Sequence, residues 1–270
     1  MTLSAENIAD RVIRSPKYRC LCRDTVLRAA ALAAARSGSA PEAVKRARRK
    51  LHQVHGAYLS HWNAKRAAEL MDEIRSAANP NDLKRACMLL MQIHESSAGR
   101  IDSLDRLFPM IYESTGVPDS ILDLGCGLQP FALPWMGLKT GAEYVACEID
   151  NRLVDLVNDF FDAVGQKGKA ACRDVLADLP KRRVDMAFLL QMLPCLEQQE
   201  KGSAGRVLRK VNAEWILVSY PLKSLSGRER GMGRHYPKTM EAILDDLSLP
   251  CRSFRLGEEL FYLLDRRDRT

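Results

Sequence analysis

No stretch of about 18 consecutive apolar residues occurs in the 270-residue chain, so no segment reads as a membrane-spanning helix. The N-terminus lacks a charged-then-apolar leader with a small-residue cleavage site, so no export signal is expected. A disulfide framework is missing as well. The eight cysteines, at 20, 22, 87, 126, 147, 172, 195 and 251, are scattered, and several fall in expected strands, as buried reduced thiols do. These absences together predict a soluble protein of the reducing cytoplasm. Metal-ligand spacing is lacking too. His52 and His55 lie close on one helix, with His61 and His94 further on, but they form no paired ligand motif. Cys20-x-Cys22 has one residue between its thiols, unlike a zinc knuckle, so no metal is expected. No nucleophile, base and acid constellation is legible, and neither internal repeats nor low-complexity segments occur.

What is present is ordinary globular composition, 46% hydrophobic and 28% charged, in a length that suits one large domain or two small ones. The net charge of +7 is uneven. Residues 1 to 119 hold 19 Lys/Arg against 13 Asp/Glu, whereas residues 120 to 270 hold 22 against 21. Between 11 and 50 the ratio is 12 to 2, and Lys45, Arg46, Arg48, Arg49 and Lys50 cluster there as a phosphate-binding face.

Residues 1 to 117 read as helices over 5 to 14, 24 to 36, 41 to 58, 62 to 77, 81 to 97 and 102 to 114. Ser37-Gly38-Ser39 and Asn79-Pro80-Asn81 punctuate them, and Pro41 suits a first helical turn. A short turn, Thr115-Gly116-Val117-Pro118, places a boundary near 117 and closely couples the helical domain 1–117 to a second domain, 118–270. From 120 onward, strand-like runs at 120 to 124, 143 to 147, 169 to 172, 184 to 190 and 214 to 220 alternate with helices at 130 to 136, 151 to 165 and 198 to 211. That alternation predicts a parallel α/β sheet. Two further runs, 251 to 256 and 259 to 264, flank Gly257-Glu258 and read as an antiparallel hairpin at its edge.

The first strand, Ser120-Ile121-Leu122-Asp123-Leu124, runs into Gly125-Cys126-Gly127, glycines that let the backbone turn sharply and approach a ligand. The third glycine of a dinucleotide fingerprint is absent, because Pro130 stands there, so a nucleoside without a pyrophosphate fits better than NAD. The second strand delivers Glu148 to its carboxyl end, where an acid can bond both ribose hydroxyls. Asp123, Gly125, Gly127 and Glu148 together suggest an S-adenosylmethionine (SAM) site.

Ordered segments along nearly the whole chain resemble a known family. They are Ser15-x-Lys17-Tyr18-Arg19-x-Leu21, Leu51-His52 with Gly56-Ala57-Tyr58, His94-x-Ser96-Ser97-x-x-Arg100, Asp123-Leu124-Gly125-Cys126-Gly127-Leu128-x-Pro130, Pro134-Trp135-Met136-Gly137-Leu138, Leu193-Pro194-Cys195-Leu196-Glu197, Lys223-Ser224-Leu225 and Gly257-x-Glu259-Leu260-x-Tyr262. The chain resembles the aminoglycoside-resistance 16S rRNA (guanine(1405)-N7)-methyltransferases, the Arm/Rmt group and its actinomycete producer relatives. The resemblance implies a class I SAM-dependent methyltransferase, Rossmann-like, behind an all-helical N-terminal domain. It implies SAM as cofactor, with S-adenosyl-L-homocysteine as product, and 16S rRNA of the 30S subunit as partner, without DNA or membrane.

The cofactor contacts implied by the resemblance are Tyr58, His94, Glu95, Ser96, Arg100, Gly125, Glu148, Asp174, Val175, Leu190 and Gln199. Arg100 would fork onto the methionyl carboxylate and Asp174 would meet the adenine amino group. The basic run from 45 to 50 would dock RNA. Lys223, Arg228 and Arg230, in a loop from 223 to 233, would grip the flipped nucleotide or its phosphates. Gln191 stands where many members have lysine, Gln129 where asparagine is usual, and Glu148 where aspartate is more common. Those departures leave two other readings open: an RNA-binding assembly protein without transfer activity, and a methyltransferase acting on another base such as adenine N1.

Overall fold

The computed structural model describes residues 4–59, 61–222 and 232–267. Five helices lead the chain: α1 (Ala5–Ile13), α2 (Arg23–Ala34), α3 (Ala40–Leu51), α4 (Ala64–Arg75) and α5 (Pro80–Met91). Their starts follow from local chemistry. The side chains of Ser4, Ser39, Asn63 and Asn79 accept hydrogen bonds from first-turn N–H groups, and Pro41 and Pro80 sit in first turns, where no N–H partner is needed. The expected helix over 41 to 58 is split. After α3 the chain widens into a π-helical turn, His52–Gly56, which shifts the side chains that follow it. Two more helices, α6 (Glu95–Ala98) and α7 (Leu104–Thr115), complete the helical part.

A seven-stranded sheet follows: β1 (Ser120–Leu124), β2 (Glu143–Glu148), β3 (Gly168–Cys172), β4 (Val184–Leu190), β5 (Ala213–Pro221), β6 (Cys251–Leu256) and β7 (Glu259–Asp265). The order is β3-β2-β1-β4-β5-β7-β6. The first five strands pair in parallel, and β7 inserts antiparallel beside β5, as the terminal hairpin predicts. Between strands lie α8 (Leu133–Met136), α9 (Asn151–Val164), α10 (Met192–Gln199), α11 (Ser203–Lys210) and α12 (Met232–Leu247). The helix expected over 198 to 211 is α11, which begins only after Gly202 turns through positive φ, and α10 precedes it where no helix was expected.

Successive residues of each strand face opposite layers. Ile121, Met186 and Phe188 pack with α4, α5, α7 and α9, while Leu122, Ala187 and Leu189 pack with α10 to α12. A third core, from Ile8 to Leu51, holds α1 to α3 together. This bundle is tied to the sheet beyond the end of β2. Leu21 bridges to Asp150, the Cys22 N–H donates to the Ile149 carbonyl at 2.7 Å, and the Asn151 N–H donates to the Cys20 carbonyl at 2.9 Å.

Candidate functional site

A cavity of about 700 Å3, counting its mouth, opens at the carboxyl ends of β1, β2 and β4. That is where the crossover geometry of a parallel sheet leaves room for a ligand. Tyr58, His94, Ser96, Gly125, Glu148, Asp174, Val175, Leu190, Gln191 and Gln199 line it. Glu95, Arg100, Asp123 and Gly127 lie outside the lining, and Lys223, Arg228 and Arg230 lie outside the described residues.

The glycine turn after β1 brings backbone close to the pocket wall. Gly125 and Cys126 donate to the Cys147 carbonyl at 2.8 and 3.0 Å, and both glycines have positive φ. A Cβ on Gly127 would lie 2.7 Å from the His94 ring, so no larger residue fits. Asp123, 1% exposed, accepts the Tyr144 hydroxyl at 2.7 Å behind this turn. Burial pushes its carboxyl up to about 7 against the lowering effect of that bond.

Glu148 is fixed by three backbone donors. Gly127 donates to Oε2 at 3.0 Å, and Ile149 and Asp150 donate to Oε1 at 2.7 and 3.1 Å. Burial raises its pKa, opposed by the His55 imidazole and the N–H groups of Gly127 and Ile149. The π-helical turn aims His55 at Asp150, Nε2 to Oδ2 at 2.9 Å, and Arg152 grips the same carboxylate at 2.6 and 3.0 Å. Burial works against the ionised Asp150, but His55 and Arg152 outweigh it and hold the carboxyl below its ordinary range. His94 stacks on Tyr58 at 5.7 Å between centroids. Burial, assisted by the charges of His55 and Arg100, pushes the His94 imidazole down to about 3, so the ring is neutral at pH 7. The Nδ1 atoms of His55 and His94 are buried at the pocket wall with no partner among the described residues.

The far wall is built across 146 residues of sequence. Asp174 Oδ2 accepts Thr25 Oγ1 at 2.9 Å and Arg28 Nη2 and Nε at 2.7 and 3.1 Å, while Oδ1 accepts the Leu176 N–H. Arg28 Nη2 also donates to Gln199 Oε1 at 2.6 Å. Gln191 opens α10 with φ 56°, an uncommon conformation for a residue with a side chain, and its N–H donates to Ser219. Arg100, 1% exposed, is engaged elsewhere. Its guanidinium meets Glu259 at 3.0 Å, Gln129 Oε1 at 2.5 Å and Ser96 Oγ at 3.3 Å.

His55, Arg173, Met192 and Cys195 also line the cavity, and Arg28 braces it, although the sequence expectations name none of them as a site residue. His55 carried a signal, since it stands directly before the Gly56-Ala57-Tyr58 segment. Arg28 carried none. In the basic run, Lys45, Arg46 and Arg49 are exposed. Lys50 donates to the Gln198 carbonyl at 2.7 Å, and Arg48 donates to the Arg11 carbonyl at 3.0 Å.

Three features fit a nucleoside cofactor: backbone approach at the glycine turn, a carboxylate held rigidly at the end of β2, and unpartnered imidazole nitrogens on the wall. The comparisons point the same way. Residues 14–263 match the family described as "Ribosomal RNA methyltransferase (FmrO)". A 16S rRNA (guanine(1405)-N(7))-methyltransferase of Micromonospora echinospora is 34% identical over 98% of this chain and 100% of its own length. The enzyme of the same name from Serratia marcescens is 33% identical over 94% and 96%. The crystal structure of the 16S rRNA methyltransferase RmtF in complex with S-adenosyl-L-homocysteine superposes with a TM-score of 0.85, at 30% identity over 98% of this chain and 99% of that one. With both its sequence and its sheet matched over nearly their full length, the chain belongs to the FmrO family of ribosomal RNA methyltransferases.

Proposed function

We propose that the protein transfers a methyl group from SAM to N7 of guanosine 1405 in 16S rRNA of the assembled 30S subunit. The methyl and the positive charge it brings would repel cationic 4,6-disubstituted deoxystreptamine aminoglycosides, giving resistance. The observation that carries this reading is the cavity at the sheet's carboxyl edge, lined by Gly125 and Glu148, in a chain whose relatives bear that activity in their names. SAM supplies an electrophilic methyl on a sulfonium.

Guanine N7 has a lone pair and no proton, so the residues need only orient the two partners, a proximity effect worth several kcal/mol. Glu148 is assigned to the ribose hydroxyls, since Oε2 accepts only one backbone N–H and keeps a free lone pair. Tyr58, His94, Ser96, Gly125, Val175 and Leu190 form the remaining cofactor wall. Asp174 presents Oδ1 toward an amino group while Arg28 holds Oδ2. Arg100, with its fork on Glu259, Gln129 and Ser96, is assigned to holding the α6 wall rather than the methionyl carboxylate.

The helical domain of residues 1–117 is proposed to dock on the subunit through Lys45, Arg46 and Arg49. Residues 118–270 would carry transfer, with Arg228 and Arg230 holding the extruded base, because N7 in an A-form groove is out of side-chain reach. The test is to incubate unmodified 30S subunits with labelled SAM, cleave at N7-methylguanosine after reduction, and extend a primer. One stop at guanosine 1405 is expected. A stop elsewhere would reassign the target, and absence of label would leave an RNA-binding protein.

A further inference from the structure

One pair of reactive groups lies outside the pocket lining and across the joint between bundle and sheet. Cys22 stands at the N-cap of α2, and Cys172 is the last residue of β3, the edge strand. Both approach one carbonyl: the Cys22 N–H donates to Ile149 O at 2.7 Å, and Cys172 Sγ donates to the same oxygen at 3.7 Å. The two cysteines thus meet at a single carbonyl, and neither is in a disulfide. Cys22 is buried and Cys172 is partly exposed, so a small solute meets the pair from the Cys172 side, at the sheet edge.

We propose that Cys22 and Cys172 are an oxidant-modified pair that closes to a reversible disulfide in the presence of a peroxide, stapling the start of α2 to the end of β3. Cys22 is the attacking sulfur. The neighbouring Cys172 thiol, outweighing the burial that opposes it, and the N–H groups of Thr25 and Asp24 lower its pKa to about 6, while the Cys22 sulfur raises that of Cys172. The Cys22 thiolate attacks one peroxide oxygen. The O–O bond breaks, the other oxygen leaves as water after taking up a proton, and Cys22 becomes a sulfenic acid. The Cys172 sulfur then attacks the Cys22 sulfur, the S–O bond breaks, and the hydroxyl departs with the Cys172 proton as a second water. Two electrons pass from the sulfurs to the peroxide, and a dithiol reductant returns them.

The staple would join segments that already meet two and three residues further on, where Thr25 holds Asp174. It therefore restricts the unfolded chain over a long loop while keeping native contacts, and oxidation is expected to raise thermal stability. In the reducing cytoplasm the resting form is the dithiol.

The full chain is treated with hydrogen peroxide, quenched by alkylation, digested without reductant and mapped by mass spectrometry. The expected product is a peptide pair joined through Cys22 and Cys172, lighter by two hydrogens and separated by dithiothreitol. It should persist in Cys20→Ser and be lost in Cys22→Ser and Cys172→Ser. The thermal midpoint should rise on oxidation in the parent and in Cys20→Ser, and in neither of the other variants. Oxidation that stops at sulfenic or sulfinic acid on Cys22, joins Cys20 to either thiol, or leaves all three alkylated would overturn the proposal. None of these outcomes depends on methyl transfer.

Discussion

Asp123 is a carboxyl whose ionisation the fold resists. Its pKa rises from the ordinary 3.8 to about 7, so between those values the folded protein keeps a proton that the unfolded chain has released. Stability therefore falls as pH rises from 3.8 to 7, and the full cost remains above 7. Asp123→Asn keeps an acceptor for Tyr144 and removes the titration. The variant's stability advantage over the parent is expected to grow across that window and then level off, read by urea unfolding at a series of pH values. A constant difference would mean that Asp123 is ionised in the fold. Glu148 sets a second expectation. Glu148→Ala should weaken S-adenosyl-L-homocysteine binding by about 0.5 to 3 kcal/mol for each hydrogen bond lost, measured calorimetrically. Unchanged affinity in a folded variant would remove Glu148 from the ligand.

At the scale of elements, α2 depends on one cation for its place against the pocket. Arg28→Ala leaves the buried Asp174 carboxylate without its charged partner and frees Gln199. A loss on the order of 2 kcal/mol in folding stability is expected, since bonds to charged groups are worth about 1.5 to 3 kcal/mol. Cofactor affinity should fall with it. A variant equally stable to urea would show that Thr25 alone secures the carboxylate.

The strands were the legible elements because a buried parallel strand needs apolar residues on both faces, and Ile121-Leu122 or Phe188-Leu189 supply them without interruption. The π-helical turn at His52–Gly56 was not legible, since its five residues would suit an ordinary helix and only the packing of His55 on Asp150 reveals the widening. Pocket positions at strand ends, such as Gly125 and Glu148, follow from the same strand pattern. Arg28 does not. Its partner lies 146 residues away, and nothing local distinguishes it from the other arginines of the basic stretch.

For the whole molecule, the surplus positive charge sits in residues 1 to 119. Arg48 and Lys50 spend hydrogen bonds inside the protein, whereas Lys45, Arg46 and Arg49 face solvent. Replacing those three with alanine is expected to weaken 30S binding and reduce the slope of log affinity against log salt by up to about 3, because fewer counterions are released. Affinity for S-adenosyl-L-homocysteine should stay as it was. Normal subunit binding at every salt concentration would place docking on another face.

The ion pair between Arg100 and Glu259 joins the helical part to the last strand, with both side chains 1% exposed. Its acid lies 159 residues after its cation. Until β7 is in place beside β5, Arg100 is a buried cation without its counter-charge. Removing one partner of such a pair costs about 3 to 5 kcal/mol, enough to consume much of a domain's stability. Glu259→Gln should lower folding stability by that order, read by urea unfolding, and an equally stable variant would show that Gln129 and Ser96 suffice for Arg100. The pair thus makes the helical part and the sheet edge depend on each other: neither buries its charge at a tolerable cost without the other.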